Sequence, residues 1–303
     1  MQIHVLGSAA GGGFPQWNCN CENCAAVRRG EPGFTARTQS SICVSSDGSN
    51  WALINASPDI RAQIGEFPPL QPGRGKRGTG IKAVILMDSQ IDHTAGLLLL
   101  REGERLPVFA TEMVRQDLTT GYPVLRMLES YCGVDWQPVR PDGTPFTVTG
   151  VDGLEFSAVG LTSKAPPYSP HRDDPHPGDN IGLVIRDARS GRRVFYAPGL
   201  GRIEPHLEPL MAASDCILID GTFWTEDEMQ VRGVGSKTAA QMGHLPQSGD
   251  GGMIEQLDRF PDARRILIHI NNTNPILDEN SEQRVVLASE GLEVAWDGMD
   301  IEV

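Results

Sequence analysis

The run Ile81-Lys82-Ala83-Val84-Ile85-Leu86-Met87 leads straight into Asp88-Ser89-Gln90-Ile91-Asp92-His93-Thr94-Ala95-Gly96, and four leucines, Leu97 to Leu100, follow. Apolar run, polar turn and second apolar run predict a strand, a sharp loop and a helix in succession. If residues 88–92 stay extended, Asp88, Gln90 and Asp92 project to one side of the chain. His93 then follows at the turn, and Gly96 lets the backbone pack closely behind it. Metal-capable side chains at a strand's carboxyl end, just before a helix, sit where α/β proteins place their chemistry. Taken alone, Asp92 could equally cap the helix and His93 be an ordinary buried histidine. The rest of the chain argues against that.

The chain has 303 residues, enough for one large α/β domain or two small ones. No apolar run approaches the length of a membrane span. The first residues, Met1 to Gly7, lack a basic region and a cleavage site and read as a first strand, so a cytoplasmic protein is expected. A net charge of −13 argues against nucleic acid or an anionic membrane as partner. A homo-oligomer stays open. The six cysteines, at positions 19, 21, 24, 43, 132 and 216, are too unevenly spaced for a disulfide framework. Three of them crowd into Asn18-Cys19-Asn20-Cys21-Glu22-Asn23-Cys24, where the loop 18–24 can wrap a zinc ion with thiolates.

Strands are expected at Ile3 to Leu6, in a hairpin of Thr38 to Ser45 with Trp51 to Asn55, and at Val108 to Ala110. Further strands are expected near residues 154–160, 181–186, 193–197, 216–220, 265–270 and 292–296. Helices are expected after Ser57-Pro58, after the Thr111 cap, and over residues 122–131, 204–213, 236–242, 249–260 and 281–290. The glycine-rich turn Gly7 to Gly13 lacks the Gly-Lys-Ser/Thr ending of a phosphate loop and reads as a tight turn bringing backbone close to a site. Residues 68–80 read as a surface loop, and the Pro-rich stretch Tyr168 to Pro177 as a lid. Strand runs with helices in both halves suggest two packed sheets with helices outside. No linker divides residues 1–303, so a single domain is expected.

The stretch from Asp88 to Gly96 resembles the metallo-β-lactamase superfamily signature, His-x-His-x-Asp-His followed shortly by Gly. The two leading histidines fall on Asp88 and Gln90, and the final Asp-His on Asp92 and His93. The resemblance implies an αββα four-layer sandwich over most of the chain. His269, ending the apolar run Ile266-Leu267-Ile268, matches the superfamily's last metal-ligand histidine. The cysteine triplet resembles the zinc knuckle of the phosphodiesterases of phosphonate breakdown, in which a late histidine is the fourth ligand. Here that position is Asn272, whose amide oxygen would be an unusual ligand. Pro198 stands where hydrolases of the superfamily carry a metal-bridging Asp. With two leading histidines and the bridge missing together, the expected site is mononuclear and rebuilt for other chemistry.

What survives is Asp92, His93 and His269, catalytic and metal-binding in this reading. Two imidazoles and a carboxylate with open positions are the ligand set of non-haem Fe(II) oxygenases, although a single zinc could also sit there. Asp88, Gln90, Asp220 and His244 are expected behind the ligands or in the substrate pocket, His244 because Gly243-His244 resembles a turn that superfamily hydrolases place near their metals. His171 and His176 lie in the lid, where ligation and plain exposure are both open. His4 is expected to be structural and His206 exposed on a helix. The knuckle, the altered signature and His269-Ile270-Asn271-Asn272-Thr273-Asn274-Pro275 together resemble a branch of the superfamily serving pyrroloquinoline quinone (PQQ) biosynthesis. That resemblance implies zinc at the knuckle, Fe(II) at the second site, and oxygen-dependent hydroxylation of the tyrosine in a Glu-Tyr-derived, peptide-borne precursor. Its alternative is a non-catalytic carrier of PQQ or its precursor towards the periplasm.

Overall fold

A computed structural model describes residues 1–73 and 75–303. Residue 74, within the expected 68–80 loop, lies outside the described residues. The first sheet contains β1 (Gln2–Gly7), β2 (Ser41–Ser45), β3 (Trp51–Ile54), β4 (Ile81–Ile85), β5 (Leu106–Ala110), β6 (Val134–Pro138) and the chain's last strand, β14 (Asp300–Glu302). Their spatial order is β14-β1-β2-β3-β4-β5-β6. The second sheet contains β7 (Asp142–Phe146), β8 (Leu154–Gly160), β9 (Ile181–Asp187), β10 (Arg193–Ala197), β11 (Cys216–Asp220), β12 (Arg264–Ile268) and β13 (Leu292–Val294), in the order β13-β12-β11-β10-β9-β8-β7. Strands β3 to β6 run parallel to one another, as do β10 to β13.

The apolar run at 81–87 is explained by burial on both faces. Ala83, Ile85 and Met87 face the second sheet, meeting Leu183, Ile185, Leu218 and Ile268 in the central core. Val84 and Leu86 face the other way, under Ile60, Leu97, Val114 and Leu128 of the outer helices. The same alternation sends Ile266 and Ile268 inward and Leu267 outward to Leu257 and Leu287. Parallel strands covered on both sides read as continuous apolar runs. Two seven-stranded sheets face to face, with helices on both outer surfaces, make the expected αββα sandwich.

Several boundaries differ from expectation. The helix after Ser57 begins at Ile60, because the Ser57 hydroxyl is spent on Gln63 and on the amide of Asp59. The helices expected over 122–131, 204–213, 236–242 and 249–260 shrink to Val124–Leu128, Glu208–Ala212, Ala239–Met242 and Met253–Leu257. His206 therefore precedes its helix; it is exposed and its Nε2 lies 2.9 Å from the Gly160 carbonyl oxygen. His4 is structural, its Nδ1 2.7 Å from Asp300 and its ring stacked on Phe67. The stretch 88–92 does not stay extended, since residues Ile91–Thr94 form a helical turn entered at Gln90.

Gly96 has the role expected of it. Its amide donates to the Ala56 carbonyl at 2.9 Å, and a Cβ there would lie 2.2 Å from the Ser57 carbonyl oxygen. Gly96→Ala should therefore cost about 1–3 kcal/mol, the scale of overpacking. A urea-unfolding midpoint equal to wild type would contradict that close approach.

Candidate metal centre

Asp92 and His93 sit just beyond β4, and His269 directly follows β12, so the two sheets contribute from their carboxyl ends to one point. One ligand-capable atom from each of the three lies within 4.8 Å of the others. The Asp92 Oδ2 is 3.3 Å from His269 Nε2 and 3.8 Å from His93 Nε2. The glycine-rich turn closes the third side, for a Cβ on Gly11 would stand 3.1 Å from Asp92 Oδ2. His269 holds a left-handed backbone, φ 62°, which a residue with a side chain seldom adopts and which costs about 1–3 kcal/mol. Backbone bonds from Ile270 to Ser8 and from Asn271 to Thr222 keep it there.

Behind His93 stands Asp88. Its two oxygens lie 2.8 and 2.9 Å from His93 Nδ1, so the first lost signature histidine has become a carboxylate that orients the next one. Burial pulls the His93 imidazole down, but Asp88 and Asp92 outweigh it and hold it up at about 9. Burial likewise pushes the Asp92 carboxyl up, and His93 and His269 hold it below the usual carboxylate range. His93 Nε2 is buried and has no hydrogen-bond partner. A buried ring nitrogen left unpaired is costly, and a metal ion would satisfy it by displacing the proton that Asp88 and Asp92 otherwise favour. That atom, with the facing carboxylate and second imidazole, fits a divalent metal.

Gln90 is placed differently. It is half-buried, and its contribution is a carbonyl that accepts from the Thr94 hydroxyl at 2.8 Å. Asp220, ending β11, lies 2.6 Å from His244 Nδ1, and the His244 ring stacks 5.5 Å from that of His269. His244 thus lies beside His269. His171 and His176 pack edge-on against each other, with His171 Nε2 2.8 Å from Gln116 Oε1. They join no metal-capable group among the described residues. Their loop docks beside the site through Tyr168, whose hydroxyl donates to the Ser89 carbonyl, and through a bridge from Asn180 to Asp88. Thr222, which sequence reasoning missed, sits 2.9 Å from His269 Nδ1.

The three sulfurs of Cys19, Cys21 and Cys24 lie within 4.8 Å of one another. The triplet is not wholly a loop, because α1 (Glu22–Arg29) starts at Glu22 and carries Cys24 in its first turn. A hydrogen bond from Cys21 lowers the Cys24 thiol to about 7 against the pull of burial, and the Asn272 amide adds to it. Asn272 turns its Nδ2 to all three sulfurs, at 3.1, 3.6 and 3.4 Å. An amide nitrogen has no lone pair for a metal, so ligation by Asn272 requires the amide turned over with its oxygen inward. Among the described residues no helix is long and apolar enough to cross a membrane.

Residues 50–270 match the family model of the Beta-lactamase superfamily domain. The chain is 61% identical to coenzyme PQQ synthesis protein B of Methylobacillus flagellatus over 99% of both chains. It is 59% identical to the protein of that name from Methylococcus capsulatus, again over 99% of each. Zn(2+)-bound PqqB from Methylobacterium extorquens superposes with a TM-score of 0.91 at 36% identity, covering 100% of both chains. A diphosphatase of the PhnP family shares the fold alone, with a TM-score of 0.69 at 18% identity over 100% of this chain and 96% of that one. This chain therefore belongs to the coenzyme PQQ synthesis protein B family, within the beta-lactamase superfamily.

Proposed function

We propose that this protein acts in PQQ synthesis as an oxygen-dependent hydroxylase, with iron(II) held by Asp92, His93 and His269 and zinc held by Cys19, Cys21 and Cys24. Membership of the family supports the pathway. The observation that carries the enzymatic reading is the buried, partnerless Nε2 of His93, facing a carboxylate and a second imidazole. A protein that only carried PQQ would gain nothing from burying it. The Zn2+ reported for the Methylobacterium extorquens relative supports metal binding here too.

Asp92, His93 and His269 would hold ferrous iron, which would supply one-electron and dioxygen chemistry. The protein's own contribution is orientation and exclusion of water. Asp88 fixes His93, Pro198 contributes no bridging carboxylate, and the Tyr168 loop closes over the strand end. The proposed substrate is the tyrosine ring of a Glu-Tyr-derived precursor. One ring C–H becomes C–OH, the second oxygen atom of O2 leaves as water, and an external two-electron donor with two protons completes the balance.

The test is reconstitution. Protein loaded anaerobically with Fe(II) is mixed with O2, a reductant and a Glu-Tyr dipeptide, crosslinked or free, and the products are weighed by mass spectrometry. Product heavier by one oxygen with iron, and none with zinc alone at both sites, is the expected result. No oxygenated product with fully iron-loaded protein, together with tight PQQ binding by the metal-free protein, would replace the hydroxylase with a carrier.

A further inference from the structure

Besides the cysteine triplet, two groups of side chains among the described residues have the spacing of a metal cage, and they share His269. One is Asp92, His93 and His269; the other is Asp220, His244 and His269. The second group cannot work as the first does, because the Asp220 carboxylate is already spent. Its Oδ1 accepts from the Thr222 amide at 2.9 Å and the Thr222 hydroxyl at 2.6 Å. Its Oδ2 accepts from the Leu200 amide at 2.8 Å and faces His244 Nδ1 at 2.6 Å. Four donors fill the lone-pair directions of a fully buried carboxylate.

The Thr222 hydroxyl has one proton and two oxygens within reach, Asp220 Oδ1 at 2.6 Å and the His269 carbonyl at 2.9 Å. The charged, closer acceptor takes it. The hydroxyl oxygen is then an acceptor towards His269 Nδ1, 2.9 Å away, so that nitrogen carries its proton and Nε2 keeps its lone pair. Nε2 is the atom beside Asp92. His93 is arranged in the same way with one link fewer, its Nδ1 directly on Asp88.

We propose that Thr222 and Asp220 are positioning residues for the metal site: the Thr222 hydroxyl relays the Asp220 charge to His269, fixes its tautomer, and presents Nε2 to the ion. The same carboxylate holds His244, so both imidazoles on this side of the site are set by one buried anion. The proposal rests on reading His269 as a ligand, and not on which reaction the metal serves.

Cobalt(II) titration tests it, with the knuckle zinc left in place and visible absorption reporting the ligand field. Thr222→Val keeps the shape and removes the hydroxyl, while Thr222→Ser restores the hydroxyl. The valine variant should bind cobalt about 10–100-fold more weakly, the usual effect of losing a partner behind a metal ligand. The serine variant should stay close to wild type, and both should show wild-type circular dichroism. Should the valine variant fail to fold, Thr222→Ala asks the same question with less bulk. Wild-type affinity and spectrum in the hydroxyl-free variant would overturn the relay, as would equal weakening in valine and serine variants. Wild-type cobalt binding by His269→Ala would instead remove the ligand reading beneath it. Cobalt-competent protein that hydroxylates nothing would sink the proposed reaction and leave the relay standing.

Discussion

Replacing any one of Asp92, His93 and His269 with alanine is expected to empty the site of its metal and end oxygen-dependent turnover. Each change removes one of only three proposed protein ligands, and the two that remain come from opposite sheets or from one short turn. The loss should exceed the about 10–100-fold typical of a partner behind a ligand. Asp88→Ala falls in that lesser class, since it frees the His93 ring without removing it. His4→Ala and His206→Ala are the controls, the first held by Asp300 and Phe67 and the second beside a backbone carbonyl on the surface. Metal analysis and turnover are read on the same preparations. His269→Ala with wild-type iron content and rate would end the three-ligand assignment.

The second large effect is expected at the cysteines. Cys21→Ser or Cys24→Ser should release the zinc and lower the melting temperature. The loss should exceed the about 0.5–3 kcal/mol of an ordinary substitution, because a structural metal contributes directly to folding. The disturbance should also reach the other site. Asn272, against the thiols, lies on the same turn as His269, and Asn23 of α1 binds the carbonyls of Asn272 and Asn274. Asn274 in turn binds the carbonyls of Gly221 and Thr222. A Cys19/Cys21/Cys24 triple substitution that kept its zinc and its melting point would mean these thiols serve some other purpose.

The parts of this architecture that were legible in the sequence are those with a period or a charge out of place. The buried strands announced themselves by unbroken apolar runs, and the metal-capable residues by polar atoms at the ends of those runs. The helix expected over 281–290 forms at Glu282–Ser289, and Ser281 caps it by accepting from the Arg284 amide. Strands β6, β7 and β14 carried no such mark. Asp142-Gly143-Thr144-Pro145-Phe146 contains both residues that weaken strands and lies at a sheet edge. β14 is only three residues long. The helix α1 was hidden by its own cysteines, although Gly30 at φ 69° ends it as a glycine cap should. Thr222 gave no signal at all, because a hydroxyl that bonds a histidine 47 positions away has no local pattern. The extended reading of 88–92 failed where Asp88 took the Gln90 amide, at 2.8 Å, and turned the chain into a helix.

The separation of the ligands along the chain bears on how the protein acquires its metals. His269 lies 177 positions after Asp92, and Asn272 lies 253 after Cys19. During synthesis the three thiols and the Asp92-His93 pair leave the ribosome well before the strand that completes either site. A cluster of thiols already binds soft and tight-binding ions by itself, whereas one carboxylate and one imidazole hold almost nothing. If both proposed sites hold metal, the topology would order their loading: the sulfur site would fill early, from whatever the cell offers. The weaker-binding ion would enter last, after β12 has docked between β11 and β13, when geometry rather than intrinsic affinity would do the selecting.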